Sequence, residues 1–161
     1  MNTQTGYSSS QIVLHWATAI LVGFNYIYSE GMGEALDARL EGGAPPTLEI
    51  LPQLHVWAGI AVLVLVLLRL VLRATQGAPE AAGEGLSGLA ATWGHRLLYL
   101  LLLAVPVLGL TTWFGGIDAT GEPHALLANV IMIVAGAHAL VAIFHQFVLK
   151  DGVLTRMFKA R

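Results

Sequence analysis

The sequence lacks cysteine and is poor in charge. None of its 161 residues is Cys and 11% are charged, whereas a soluble domain of this size carries about 25% charged residues. The absence of Cys excludes disulfides, Cys-ligated iron–sulfur clusters and the covalent attachment of a c-type haem. A net charge of −2 gives no reason to expect a nucleic-acid partner. With 56% hydrophobic residues, the composition instead indicates a membrane protein.

Four long apolar stretches account for this composition. A transmembrane helix needs about 20 mostly apolar residues, and we predict spans at 11–29, 54–72, 93–113 and 123–149. Turn-rich segments at 31–53, 74–88 and 115–122 connect them. We therefore predict one all-α domain over residues 1–161, an integral membrane four-helix bundle with up-and-down topology.

Charge is distributed unevenly between the two ends of these spans. One end carries a single basic residue, Arg39, and seven acidic ones: Glu30, Glu34, Asp37, Glu41, Glu49, Asp118 and Glu122. The other end carries seven basic residues and three acidic ones, which are Glu80, Glu84 and Asp151. Because Lys and Arg are enriched in cytoplasmic segments, we predict that both termini and the 74–88 segment are cytoplasmic.

Six histidines lie within the predicted spans or at their ends. Ionisable residues are rare in membrane spans and usually functional. His124 and His138 are fourteen residues apart, which in a helix corresponds to about 21 Å of rise and an angular offset of about 40°. They therefore share one face of the last helix at two different depths. His15 is expected at the depth of His138, and His55 at the depth of His124.

Two facing imidazoles at each of two depths predict bis-histidine axial ligation of two b-type haems. Small residues after two of these histidines, Gly59 and Ala128, would leave room for a flat macrocycle. A zinc site would need three or four ligands converging on one point. A proton relay would need acidic partners inside the spans, where the sequence has none.

The remaining two histidines, His95 and His145, are expected near the cytoplasmic end. His95 is expected to open the third span, and His145 lies seven residues after His138. Histidine donates and accepts protons near neutral pH, so both are candidate catalytic residues of a quinone site. Contacts to haem propionates or an ordinary interfacial position are alternatives. His95 could also replace His15 as an axial ligand.

Motifs over nearly the whole chain resemble the bacterial di-haem cytochrome b561 family, which includes superoxide oxidases. They are SSQIVLHW (9–16), LHVWAGIAVLVLVLLRLVLR (54–73), WGHRLLYLLLLAVPVLGL (93–110) and HALLANVIMIVAGAHALVAIFHQFVLKDGVLTRM (124–157). The haem-b subunits of formate dehydrogenases and hydrogenases have a similar ligand scheme. The resemblance implies axial iron ligands at His15, His55, His124 and His138.

The resemblance also implies a reaction: electron transfer across the bacterial inner membrane from a periplasmic donor, superoxide, to ubiquinone. Two features depart from the superoxide-oxidising members. The 115–122 segment is short, and the acidic periplasmic segments would repel a small anion and favour a basic cytochrome c. An alternative is therefore a haem-b membrane anchor that relays electrons between quinone and a partner dehydrogenase or cytochrome c. A membrane scaffold with structural histidines is the third hypothesis.

Overall fold

The described part of the molecule is helical. The computed structural model describes residues 6–42, 50–79 and 85–161, and no strand occurs among them. Four long helices are α1 (Ser9–Ile27), α3 (Ile50–Gln76), α4 (Gly85–Gly115) and α5 (Gly121–Phe144), and a short helix, α2 (Met32–Leu40), follows α1. Single turns of 3-10 helix lie at Asp118–Thr120 and Leu154–Met157, and a π-helix at His145–Leu149 continues α5.

The four long helices have the length and hydropathy of membrane spans. Their outward faces are apolar: the side chains of Ile20, Ile133 and Leu140 are 69%, 72% and 67% exposed. Apolar surface of this kind suits contact with lipid rather than water. The predicted all-α membrane four-helix bundle is confirmed.

The start of α1 is fixed by a capping box. Ser8 Oγ accepts from the Gln11 backbone N–H at 3.3 Å, while Gln11 Oε1 accepts from the Ser8 N–H at 3.0 Å. Such a cap contributes about 1 kcal/mol. The Gln11 amide also donates to the Gly77 carbonyl at 2.8 Å, just after α3 ends. The start of α1 and the end of α3 therefore lie together.

Several helix boundaries differ from those predicted. Helix α4 begins at Gly85 rather than at residue 93, so His95 lies about three turns inside it and does not open it. The helix extends because Leu89, Ala90 and Ala91 are strong helix formers. Helix α2 lies in a segment predicted to be a loop; it starts after Gly31, whose φ is +79°, and its sequence, MGEALDARL, is also rich in helix formers.

Both ends of the chain meet at one end of the bundle. The Arg161 N–H donates to the Tyr7 carbonyl at 3.1 Å, and Trp16 Nε1 donates to the Met157 carbonyl at 2.9 Å. This arrangement is the one expected of an up-and-down bundle with four spans. Three of the acidic residues that entered the orientation argument, Glu49, Glu80 and Glu84, lie outside the described residues.

An apolar layer fills the middle of the bundle. It consists of Val62, Val66, Leu101, Leu102 and Ile131, each at most 9% exposed. Ile131 lies seven residues from both His124 and His138. The layer therefore separates the two depths at which the histidines were expected.

Candidate functional site

His55 of α3 and His124 of α5 face each other at one end of the bundle. Their ring centroids are 6.1 Å apart. His55 Nδ1 lies 3.2 Å from the Asn25 carbonyl, and His124 Nδ1 lies 2.8 Å from the Val105 carbonyl. A carbonyl only accepts, so each Nδ1 carries the proton and each Nε2 keeps its lone pair. Metal-binding histidines usually have this second hydrogen bond.

A cavity of about 430 Å³ adjoins this pair and is lined mainly by apolar groups. Gly59, Gly109 and Ala128 contribute small surfaces to it. Gly109 is required by a close approach, because a Cβ at this position would lie 2.9 Å from the His124 ring. The cavity can therefore accept a bulky apolar group beside two imidazoles, which is the chemistry of a b-type haem.

His15 of α1 and His138 of α5 face each other beyond the apolar layer. Their ring centroids are 6.4 Å apart. His95 of α4 joins them, with its ring 5.2 Å from that of His138. His95 Nδ1 lies 2.7 Å from the Ala91 carbonyl, whereas His15 Nδ1 accepts from Arg69 at 3.1 Å. Three imidazoles thus meet where the sequence predicted a pair.

Arginine side chains lie near this second set of histidines. The Arg69 guanidinium lies 5.4 Å from the centre of the Tyr99 ring. Burial raises the pKa of the Tyr7 phenol above its usual value, and the charges of Arg73 and Arg156 oppose that rise. A guanidinium inside a membrane span needs an anionic or strongly polar partner. Haem propionates are carboxylates of this kind.

Both facing pairs have the spacing that axial ligation requires. Two imidazole nitrogens, each about 2 Å from one iron, place their ring centroids about 6 Å apart. The residues therefore fit a b-type haem at each level. Among residues 6–42, 50–79 and 85–161, no group of three His, Asp or Glu side chains has the geometry to hold a metal ion directly.

The two histidines of the candidate quinone site have different partners. His95 contacts His138, whereas His145 Nδ1 lies 2.5 Å from Asp151 Oδ2. The hydrogen bond from His145 lowers the pKa of the exposed Asp151 carboxyl below its ordinary value. His145 is also the first residue of the π-helix that ends the last span. The quinone role of both histidines stays a prediction.

Three residues at the sites were not among those singled out from the sequence. Asn25 supplies the carbonyl that contacts His55, and its own Oδ1 is buried without a hydrogen-bond partner among the described residues. Gly109 was quoted only as part of a longer motif, and Arg69 only as part of a motif and among the basic residues of one end. A polar Asn in an apolar stretch was the signal available for Asn25. No pattern in the sequence pairs Gly109 with His124.

Comparison with known proteins agrees with this architecture. The prokaryotic cytochrome b561 family matches residues 6–160. Cytochrome b562 of Cereibacter sphaeroides is 47% identical over 161 residues, covering 100% of both chains. The probable superoxide oxidase CybB of Yersinia pestis is 32% identical and covers 94% of each chain.

A third relative, cytochrome b561 homolog 1 of Escherichia coli, is 30% identical over 96% of this chain and 98% of its own. No solved structure matches the chain. The family match spans nearly every described residue, and the first two relatives match at full or almost full length. The chain belongs to the prokaryotic cytochrome b561 family.

Proposed function

We propose that this cytochrome transfers electrons across the bacterial inner membrane through two b-type haems, from a periplasmic donor to ubiquinone. The family implies haem b and electron transport. The observation that carries the proposal is the presence of facing imidazoles at two levels of one bundle, 6.1 Å and 6.4 Å apart. Bound haem supplies a reversible one-electron iron couple.

Each level has residues suited to one haem. His55 and His124 would hold the first haem, because the hydrogen bonds from their Nδ1 atoms to backbone carbonyls leave the Nε2 lone pairs available to iron. His15 and His138 would hold the second, and Arg69 lies close enough to bind a carboxylate there. The third imidazole, His95, is the alternative ligand at this level. The continuous α5 separates the two levels by about 21 Å.

The charge distribution supports one orientation of the bundle. Basic residues near the chain ends support a cytoplasmic position for the His15–His138 level. The His55–His124 level then faces the periplasm, where the donor reacts. Ubiquinone would bind near His95 and His145 at the cytoplasmic end, because reduction of a quinone consumes protons that histidine can supply.

Superoxide is one candidate donor, since a relative 32% identical is named a probable superoxide oxidase. A second candidate is a basic periplasmic redox protein such as cytochrome c. The observation that favours it is the exposed acidic surface of α2, formed by Glu34 and Asp37 with Glu41 just beyond. In that case the chain relays electrons between quinone and a protein partner.

Haem content and ligand variants test the proposal directly. We expect two haems b per purified chain in a reduced-minus-oxidised spectrum combined with a haem assay. His124→Ala should remove one haem and His138→Ala the other, with about half of the absorbance left in each case. One haem per chain, or loss of both from either variant, would contradict the assignment of the two pairs.

The donor is tested by stopped-flow reduction of the haems. If superoxide is the donor, it should reduce the His55–His124 haem in the isolated chain at a near-diffusional rate. A chain that reacts slowly with superoxide but co-purifies with a second redox protein would support the relay instead. The absence of any b-type spectrum would remove both candidates and leave a membrane scaffold.

A further inference from the structure

We propose that Asp151 is the positioning residue for His145, and that the pair transfers protons between the cytoplasmic solvent and the quinone. The inference rests on the proposed quinone reduction and names its proton route. It depends on the contact between the two side chains, on how the turn holds Asp151, and on the exposure of each partner.

The carboxylate of Asp151 is held at both oxygens. Oδ2 lies 2.5 Å from His145 Nδ1, and Oδ1 accepts from the Val153 N–H at 3.2 Å. The Asp151 N–H in turn donates to the His145 carbonyl at 3.3 Å. Lys150 and Gly152, with φ of +56° and +73°, make the sharp turn that returns Asp151 to the helix end.

Lys150 is the only non-glycine residue with positive φ in the described part of the chain. This backbone conformation is uncommon and strained for a residue with a side chain. The helix also changes from α to π at His145, and single π turns occur frequently at functional sites. The positive φ of Lys150 and the π-helical turn at His145 together bring the Asp151 carboxylate against the His145 imidazole.

Exposure differs between the two partners in the direction a proton route needs. The His145 side chain is 15% exposed and that of Asp151 is 35% exposed. Asp151 is therefore the more exposed partner, whereas His145 is mostly covered by the protein itself. Because Asp151 accepts from Nδ1, the imidazole presents Nε2 as its second proton-transfer atom.

Reduction of a quinone to a quinol consumes two electrons, which arrive from the haems one at a time, and two protons from the cytoplasm. His145 gives the proton on Nε2 to a quinone oxygen while Nδ1 keeps its proton and its hydrogen bond to Asp151, and Nε2 is then reprotonated from the cytoplasmic solvent. The carboxylate stabilises the imidazolium, and fixes the tautomer that remains after transfer. Other charges near Asp151 are Arg156, which interacts with it, and Lys150, its neighbour in the chain.

The same contact could instead have a purely structural role, in which it attaches the C-terminal segment (residues 151–161) to the end of the last span. The C-terminal segment makes a second contact of this kind, because Thr155 Oγ1 donates to Gln146 Oε1 at 3.1 Å. Thr155→Val removes this hydrogen bond without touching His145 or Asp151. It is therefore the matched control.

The experiment measures the rate at which ubiquinone reoxidises the reduced haems, from pH 5.5 to 9, in the full-length haem-loaded protein. We expect Asp151→Asn to slow the reaction at pH 7 by about ten- to a hundredfold, at or below the lower end of what a general acid–base group contributes, because Asp151 acts through His145. Its rate should also begin to fall at a lower pH than that of the unmodified protein. Asp151→Glu should recover part of the rate, and Thr155→Val should leave the pH profile unchanged.

A wrong acceptor and a wrong role for Asp151 would give different results. If ubiquinone does not reoxidise the haems of the unmodified protein, the proposed acceptor is wrong and the proton route is overturned with it. If ubiquinone reacts at the same rate and with the same pH profile in Asp151→Asn, the proposed function stands and the role of Asp151 is overturned. An equal loss in Thr155→Val would also overturn it, since the contact would then act only as a fastening.

Discussion

At the scale of single residues, the close approach of the His124 ring limits which residue can occupy position 109. Any side chain at position 109 would meet that ring, since even a Cβ would lie 2.9 Å from it. The His124 ring is held against α4 by its bond to the Val105 carbonyl. Glycine at position 109 is therefore required by the position of the His124 ring rather than by backbone freedom.

We expect Gly109→Ala to displace the His124 ring and weaken haem binding at the His55–His124 level. Crowding of a packed site costs about 1–3 kcal/mol. Spectroscopic titration should therefore show partial or complete loss of one haem, or a changed midpoint potential, with the other haem unaffected. Gly136→Ala is the control, because Gly136 is exposed on α5 and a Cβ there meets nothing within 4 Å. Equal haem content and equal midpoint potentials in the two variants would contradict this prediction.

The four expected axial ligands could be chosen from spacing along the sequence alone. A regular helix fixes both the depth and the face of each residue, and the structure brings His15 to His138 and His55 to His124. Their role as iron ligands stays a prediction. The approach of His95 to His138 was anticipated only in the alternative in which His95 replaces His15 as a ligand, and the start of α4 was placed eight residues too late. Contacts such as His124 with Gly109 depend on packing between helices, which no local pattern encodes.

At the scale of elements, helix α2 closes one end of the cavity beside His55 and His124. Met32, Gly33 and Leu36 line it, and Ala35 is only 2% exposed. Arg39 fastens the helix by donating to the Trp113 carbonyl at 2.9 Å. The short helix therefore covers the site from the side proposed to be periplasmic.

We expect Ala35→Asp to release α2 from the bundle. A carboxylate buried without a partner costs several kcal/mol, about 3 or more, and undocking of α2 returns the carboxylate to water. Hydrogen exchange of the α2 amides should accelerate, and a hydrophilic oxidant should react faster with the reduced haem at this level. Glu34→Gln, at an exposed position of the same helix, should change neither measurement. Unchanged exchange in Ala35→Asp would show that α2 does not depend on this contact.

Helix α2 was missed in the sequence because its apolar pattern is weak and its neighbours are rich in glycine and proline. The long spans were found because each has a run of apolar residues that only a membrane helix requires. Their ends were less well placed, since helices extend beyond the apolar run for as long as the following residues favour helix. The four helices long and apolar enough to cross a membrane were therefore predictable, whereas the short helix α2, which packs against the bundle, was not.

At the scale of the whole molecule, the two ends carry opposite charge. The end with α2 is acidic, and the end with both termini is basic. Such fields change the rates at which charged partners arrive more than they change the final affinity. The donor proposed for the acidic end should therefore be sensitive to the charge there.

We expect the triple variant Glu34→Gln, Asp37→Asn, Glu41→Gln to react faster with superoxide and more slowly with a basic cytochrome c. The change should reach about tenfold at low ionic strength and shrink above about 0.15 M salt, where the Debye length is about 8 Å. Stopped-flow rates at two salt concentrations provide the measurement. Rates independent of these three charges for both donors would place the encounter surface elsewhere.

The apolar layer of Val62, Val66, Leu101, Leu102 and Ile131 has an electrical consequence. None of these five side chains is polar, so the layer itself offers no group through which an ion or proton could follow an electron between the two histidine levels. In the proposed orientation each electron moves inward alone and works against a membrane potential that is negative inside. A full crossing costs about 2.3 kcal/mol per 100 mV. Turnover would therefore charge the membrane, so that the oxidation of a periplasmic donor stores energy across the bilayer.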